Sequence, residues 1–288
     1  MRLYLPVATR VLCVNPDIAM SSLLRLSRTL RTLRTPKTTK TMSSHFFSPS
    51  HTSRHLGLPR SRFYSSGGYG GYQAQVTMNE AVLYTLMGTN IAVFGYAYYL
   101  KEQARQGYQM PFIKFMDKMT LNLTAFRHGN YLSMLTSVFT HVDIGHIFSN
   151  MFTVYFLGSF LASAPIITPF RYLTIALGSG LAGSVGYLFN RYYRLQAQGP
   201  GARDYTRGLG FSGAVMGISS VAACLAPHSR VLIYGIVPMP LWALVAGYAV
   251  YDGYYVNSTN SHIGHAGHLG GLAFGLVYYF ARLRGLRF

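Results

Sequence analysis

Three short stretches hold the residues whose types and spacing could do chemistry. GFSG sets Ser212 between Gly210 and Gly213 at the start of an apolar run. A serine hydroxyl turns nucleophilic when a base lies within hydrogen-bond reach. HVDIGHIFSN carries His141, His146 and Asn150. The last two are four residues apart and share one helix face. SHIGHAGHLGGLAFG places His262, His265 and His268 three apart, followed by Gly271 and Gly275.

Each stretch has a plainer reading. Gly213 and Gly217 form a small-xxx-small pair, so Ser212 could serve close helix packing alone. His146 and Asn150 could bind two helices together as buried polar groups. Three histidines could suggest a metal. No carboxylate or cysteine adjoins them in the sequence, however, and Cys13 and Cys224 have no metal-site or disulfide spacing. No metal and no cofactor are expected. His268, Gly271 and Gly275 share a helix face that permits a close crossing. Such a crossing would bring His268 against the Gly213/Gly217 face, and serine would meet histidine.

The elements that must position these residues are apolar blocks. The chain has 288 residues, 50% hydrophobic and only 11% charged. Soluble domains carry about 25% charged residues. Six blocks, near 80–100, 144–164, 169–189, 211–226, 231–251 and 263–281, approach the roughly 20 residues that cross a bilayer. In lipid such segments must be helical, because every backbone group needs an internal partner. The expected fold is an all-α membrane protein, a six-transmembrane-helix bundle with a buried polar cavity. The fourth block is short and begins at Ser212, which would set that residue below the membrane surface. The segment 101–140 mixes basic with apolar residues and could lie in the interface. Basic loops fall on both sides of any threading, so charge does not fix orientation.

The formal charge of +18 does not indicate nucleic-acid binding, since the basic residues sit in a tail and in short loops. Residues 1–79 hold eleven Arg and Lys and one acid, Asp17. Leu23, Leu26, Leu30 and Leu33 fall on one helical face with arginines on the other. An Arg-rich, Ser-rich, acid-poor amphipathic segment is the signature of a mitochondrial transit peptide. A secretory signal is disfavoured because Pro6 and Arg10 break the apolar run. Arg62-Phe63-Tyr64-Ser65 is similar to sites cut by matrix processing peptidases. The expected organisation is a removable transit peptide over 1–65, a flexible lead-in over 66–79, a six-helix domain over 80–282 and a basic tail over 283–288.

Taken together, the chain resembles the rhomboid family of intramembrane serine proteases. The motifs are His141-x4-His146-x3-Asn150, the Gly-x-Ser-Gly around Ser212, and His268-Leu-Gly-Gly. Their order, and their placement on the second, fourth and sixth blocks, also match. The resemblance spans 80–281. It implies Ser212 as nucleophile and His268 as general base and then acid, a dyad. It implies an oxyanion hole from His146, Asn150 and the Ser212 backbone N–H, with His141, Gly210, Gly213 and Gly271 structural near the site. Asp143, Asp204 and Asp252 read as loop or interface residues, and His262 and His265 as cavity-lining or loop residues. Two departures stand out. The stretch Asn130–Thr136 contains no arginine, where many members carry Trp-Arg, and Met216 occupies a position that is often Tyr.

The implied activity is cleavage of transmembrane segments of other membrane proteins, with the lipid bilayer as surroundings and the mitochondrial inner membrane as location. A non-catalytic rhomboid-like protein that binds membrane partners is the alternative; the Ser212/His268 pair argues against it. A small transporter is disfavoured, since the blocks show no internal repeat with matching broken segments.

Overall fold

The computed structural model describes residues 69–199, 201–233, 236–258, 261 and 263–286. The segment 1–65 read as a transit peptide and His262 lie outside the described residues. Each of the six apolar blocks contains a helix: α1 (Tyr69–Arg105), α5 (Ile144–Ala162), α6 (Pro169–Gln196), α7 (Ser212–Leu225), α8 (Leu241–Tyr255) and α9 (His265–Tyr278). Between α1 and α5 run α2 (Gln109–Met119), α3 (Leu123–Arg127), α4 (Ser133–Thr136) and a 3-10 turn, Ser137–Phe139. A π-helical turn, Tyr279–Leu283, extends α9. It buries Leu283 to 1% exposure, so the segment read as a basic tail begins inside the core.

The six-span expectation is supported only in part, and two others need correction. Helices α5 and α6 are long and apolar enough to cross a membrane, whereas α7 is a shorter apolar helix. Helices α7, α8 and α9 have 14, 15 and 14 residues, about 21–23 Å at 1.5 Å per residue. That falls short of a roughly 30 Å hydrocarbon layer, so helix length alone does not give six spans.

Second, the flexible lead-in is helical from Tyr69. Gly70 and Gly71 are poor helix formers, but side chains from this end of α1 hold the α5–α6 turn. Tyr72 Oη donates to the Ser163 carbonyl at 2.7 Å, and Gln75 Nε2 to Ile167 at 2.7 Å. Buried Asn79 Nδ2 donates to Ala162 at 2.8 Å and to Ile167 at 2.7 Å. Tertiary bonds override a weak local preference.

Third, the fifth block does not begin as a helix at Val231. Its first residues form an antiparallel hairpin of β1 (Arg230–Ile233) and β2 (Val237–Pro240), with Arg230 opposite Pro240 and Ile233 opposite Val237. Pro238 and Pro240 lack backbone donors and break an early helix. Helix α8 starts immediately after the second proline. The all-helical expectation therefore misses a two-stranded sheet.

The core is arranged around α7. Residues Gly213 through Ala223 are all buried, and a helix apolar on every side belongs at the centre of its neighbours. Helices α6, α7 and α9 approach so closely that side chains are excluded between them. A Cβ on Gly271 would collide with the Gly213 carbonyl, and one on Gly275 would lie 2.5 Å from the Gly217 carbonyl. On the other side of α9, a Cβ on Gly183 of α6 would lie 2.8 Å from the Gly267 carbonyl. The outer faces stay apolar: Phe148, Phe152 and Phe156 of α5 and Phe170 and Phe189 of α6 are exposed. Contiguous exposed apolar surface of this kind calls for a lipid or protein cover.

The contrast between tight and open glycines is testable. Gly271→Leu forces backbone to move and is expected to destabilise the protein by more than about 3 kcal/mol, beyond ordinary overpacking. Gly247→Ala in α8 meets nothing within 4 Å and is expected to gain about 0.5–1 kcal/mol from helix propensity. Thermal unfolding of both variants in detergent micelles reads the difference.

Candidate active site

The loop from α6 to α7 delivers Ser212, and several independent bonds fix it. Fully buried Asp204 takes Arg191 Nη2 at 2.5 Å and Arg191 Nε at 3.1 Å. Asn122 Nδ2 donates to the Asp204 and Thr206 carbonyls at 2.8 and 3.0 Å. Leu121 and Gly208 exchange backbone bonds of 2.8 and 2.7 Å. Arg207 reaches the Met116 carbonyl at 2.9 Å and pairs with Asp117 at 2.5 Å. The segment between α1 and α5 therefore clamps this loop without an arginine in the Asn130–Thr136 stretch. Asp204 is a loop residue, but a buried and structural one.

Gly210 closes the loop. Its N–H donates to the Ser137 carbonyl at 2.9 Å. Its φ of 122° lies where L side chains are rarely found. A Cβ here would also sit 2.6 Å from His146 Cε1. Glycine is thus required twice, by conformation and by space. Phe211 follows, fully buried against Phe139 with ring centroids 5.9 Å apart. Ser212 is then the first residue of α7. The first N–H groups of a helix have no partner within it, so the Ser212 N–H is a donor available to an anion.

His268 lies on the first turn of α9, and its Nε2 is 2.9 Å from Ser212 Oγ. The glycine contacts between α7 and α9 set that distance. Both residues are partly exposed. The other face of the His268 ring meets a carboxylate. Asp252 of α8 places Oδ1 3.1 Å and Oδ2 3.2 Å from His268 Nδ1. It is 2% exposed. The reading of Asp252 as a loop or interface residue is therefore corrected: it stands behind the base, in line with the serine.

His265 is corrected as well. It is the first residue of α9 and is 3% exposed, neither loop nor open cavity wall. Its Nδ1 lies 2.6 Å from the same Asp252 Oδ1, and its Nε2 lies 2.7 Å from Ser261 Oγ. Sequence reasoning did not join these residues because Asp252 lies on α8 and the histidines on α9. One signal was present: Asp252 is an acid directly after an apolar block, and such groups are costly near a membrane unless they have a use. Asp252, His265 and His268 offer ligand atoms within 4.8 Å of one another. As they stand, those atoms are hydrogen-bonded to one another.

His141 and Asn150 lie on the opposite side of the nucleophile loop. Asn150 Nδ2 is 3.0 Å from His141 Nε2, and the Phe211 N–H donates to the same nitrogen at 3.2 Å. His141 must accept at Nε2, so it is neutral with its proton on Nδ1. Burial first, and neighbouring His146 second, push its pKa down to about 3, partly offset by the Phe139 backbone. An amide nitrogen has two hydrogens; Asn150 uses one on His141 and keeps one. His146 stands edge-on to His141 with centroids 4.9 Å apart, its ring over Gly210. Asp143 caps α5 through the His146 N–H at 3.0 Å. These contacts reach Ser212 through Gly210 and Phe211, the two residues before it.

A depressed pKa links His141 to stability. The unfolded chain takes up this proton below about pH 6.5, whereas the folded chain resists until about pH 3. Stability from this group is present above pH 6.5 and falls by up to about 1.4 kcal/mol per pH unit between those limits. His141→Gln keeps an acceptor and is expected to flatten that decline in denaturant melts from pH 7 to 4. His141→Phe keeps a ring but strands two buried donors, at about 1–3 kcal/mol each, and is expected to lose stability at every pH.

Comparison with known proteins bears on the family. The chain is 35% identical over 179 residues to RHOMBOID-like protein 12, mitochondrial, of Arabidopsis thaliana, covering 60% of this chain and 52% of that one. It is 29% identical over 175 residues to Rhomboid protein 1, mitochondrial, of Saccharomyces cerevisiae, covering 59% and 43%. The chain thus spans about half the length of the curated relatives it matches. Residues 128–285, more than half of the chain and including every contact at Ser212 and His268 described above, match the profile of the Rhomboid domain, and the chain belongs to the rhomboid family.

Proposed function

We propose that this protein is an intramembrane serine endopeptidase that cleaves transmembrane segments of other membrane proteins. The observation that carries the reading is the 2.9 Å contact between Ser212 Oγ and His268 Nε2 at the mouth of an otherwise buried helix. With Asp252 facing Nδ1, that nitrogen holds the proton and Nε2 is left as the acceptor. Ser212 Oγ attacks the scissile carbonyl carbon while its proton passes to His268 Nε2. The carbonyl π pair moves onto oxygen. Donors aimed at that developing charge act strongly in a dry site; the free Asn150 N–H, His146 and the Ser212 N–H supply them. Collapse of the intermediate breaks the C–N bond, and His268 gives its proton to the leaving amine. Water, deprotonated by the same nitrogen, then releases the acyl group and restores Ser212.

The surroundings follow from the apolar outer faces. In this reading α1 and α5 to α9 form a six-helix bundle in the bilayer, in which the short helices need not face lipid over their full length. A polar cavity above Ser212 admits water. The target helix must unwind to expose its peptide bond, because a helical backbone is closed by its own hydrogen bonds. The relatives named above are mitochondrial proteins, and with the Arg-rich segment over 1–65 they support a multi-pass protein of the mitochondrial inner membrane. A non-catalytic rhomboid-like binder remains the second reading, disfavoured by the intact Ser212–His268–Asp252 line.

Two measurements test these statements. Purified protein is expected to cut a single-span substrate within its membrane segment, with Ser212→Ala and His268→Ala inactive and Asn150→Ala slower by about 10²–10³. Cleavage that persists in Ser212→Ala would overturn the assignment. A reporter fused to residues 1–66 is expected to enter mitochondria; a cytosolic reporter would defeat the import reading.

A further inference from the structure

The proposed reaction uses the Ser212–His268 pair, with Asp252 behind the base. This site holds a second histidine that the reaction does not use. His265 is buried, shares Oδ1 of Asp252 with His268, and is itself locked on three sides. Ser261 Oγ lies 2.7 Å from its Nε2, and the Ile263 N–H donates to that same Ser261 oxygen at 3.2 Å. The Asp252 carboxylate can only accept, so the His265 Nδ1 facing it carries a proton, and in the neutral ring Nε2 accepts from the Ser261 hydroxyl. Tyr255 stacks on the His265 ring at 5.8 Å and 28°, and Tyr251 meets it edge-on at 5.6 Å. With Nε2 accepting, the His265 proton is on Nδ1 and points at Asp252.

We infer that His265 is a positioning residue that acts through Asp252: its Nδ1–H and its tyrosine cage hold the carboxylate in the orientation that keeps His268 in the Nδ1–H form. The shorter of the two contacts supports this assignment. Asp252 Oδ1 is 2.6 Å from His265 but 3.1 Å from His268, so the non-reacting histidine has the tighter hold. A buried carboxylate with a single weak donor would be free to rotate about its χ2 or to take up a proton. With His265 in place, Oδ1 is pinned to α9, and both oxygens stay within reach of His268. The same bond also ties α8 to α9 beside the site. The relay thus runs Ser212, His268, Asp252, His265, Ser261, across three helices and the connection that precedes α9.

The inference rests on the proteolytic reading, and the test separates the two. His265→Asn puts an amide N–H near the position of Nδ1 but leaves the tyrosine cage underfilled. His265→Phe fills the cage and removes the donor, with His265→Leu as a second donor-less variant should the larger ring disturb folding. Cleavage of a single-span substrate is measured for each, together with nitrogen-15 spectra of labelled histidine in micelles. The donor-less variants are expected to lose tenfold or more in kcat with KM unchanged. His265→Asn is expected to stay within threefold of the parent. His268 is expected to show the Nδ1–H tautomer in the parent and in His265→Asn, and a tautomer mixture in His265→Phe, as in Asp252→Asn. Parent-like kcat and tautomer in the donor-less variants would overturn the inference. So would an equal loss in His265→Asn, since packing rather than the donor would then matter. If the parent cleaves nothing, the proteolytic reading falls, and the spectra alone still decide whether His265 governs the His268 tautomer.

Discussion

The structure depends on one close approach, that of α9 to α6 and α7 through glycine. Where Gly271 faces the Gly213 carbonyl there is no room for a Cβ, and the same is true where Gly183 faces the Gly267 carbonyl. Apolar side chains give helices in lipid no hydrophobic reason to associate, so packing and hydrogen bonds must hold them. Backbones without side chains between them gain the most from packing. The contact also sets a distance. Ser212 and Gly213 begin α7, and His268 lies one helical turn before Gly271. A site that requires 2.9 Å between oxygen and nitrogen cannot tolerate another methyl group between its helices.

A second constraint acts on polar groups. The interior holds Asp204, Asp252, His141, His265 and Asn150, each 5% exposed or less. Each resolves its burial by a specific partner. Asp204 pairs with Arg191 and steadies the loop before the nucleophile. His141 accepts from Asn150 and from Phe211, which links α5 to that same loop. Asp252 and His265 satisfy one another behind the base. These five are buried beside Ser212 and His268 or the loop before them, while the outer faces of α5 and α6 stay apolar. Such networks are costly when incomplete, and this ties folding of the core to construction of the site.

Several of these features were legible in the sequence. The apolar blocks located α5, α6 and α7 to within a few residues, except that α6 runs on to Gln196, because an unbroken apolar run bounded by Pro or Gly has few alternatives to a helix. The small-residue spacing in α7 and α9 indicated a close crossing, and the structure has one. The start of α8 was misplaced, because β-branched and aromatic residues near 231–239 suit helix or strand equally and the prolines decide. The helical turns of α1 before Glu80 were missed, because glycine-rich local sequence gave no sign of the bonds from Tyr72, Gln75 and Asn79 to the α5–α6 turn.

The sequence by itself determined which residue types were available, their order along the chain, and the helical faces that Ser212, His268 and the glycines occupy. Those follow from local geometry, in which residues three or four apart share a face. Only the tertiary structure decided what stands behind His268. Asp252 belongs to a different helix, and its relation to His265 and His268 depends on how α8 docks beside α9, which no local pattern encodes. The role of His141 was decided in the same way, since its two donors come from α5 and from the loop before α7. A contact between residues distant along the chain is set by the packing of whole helices, and that packing is a property of all of them at once.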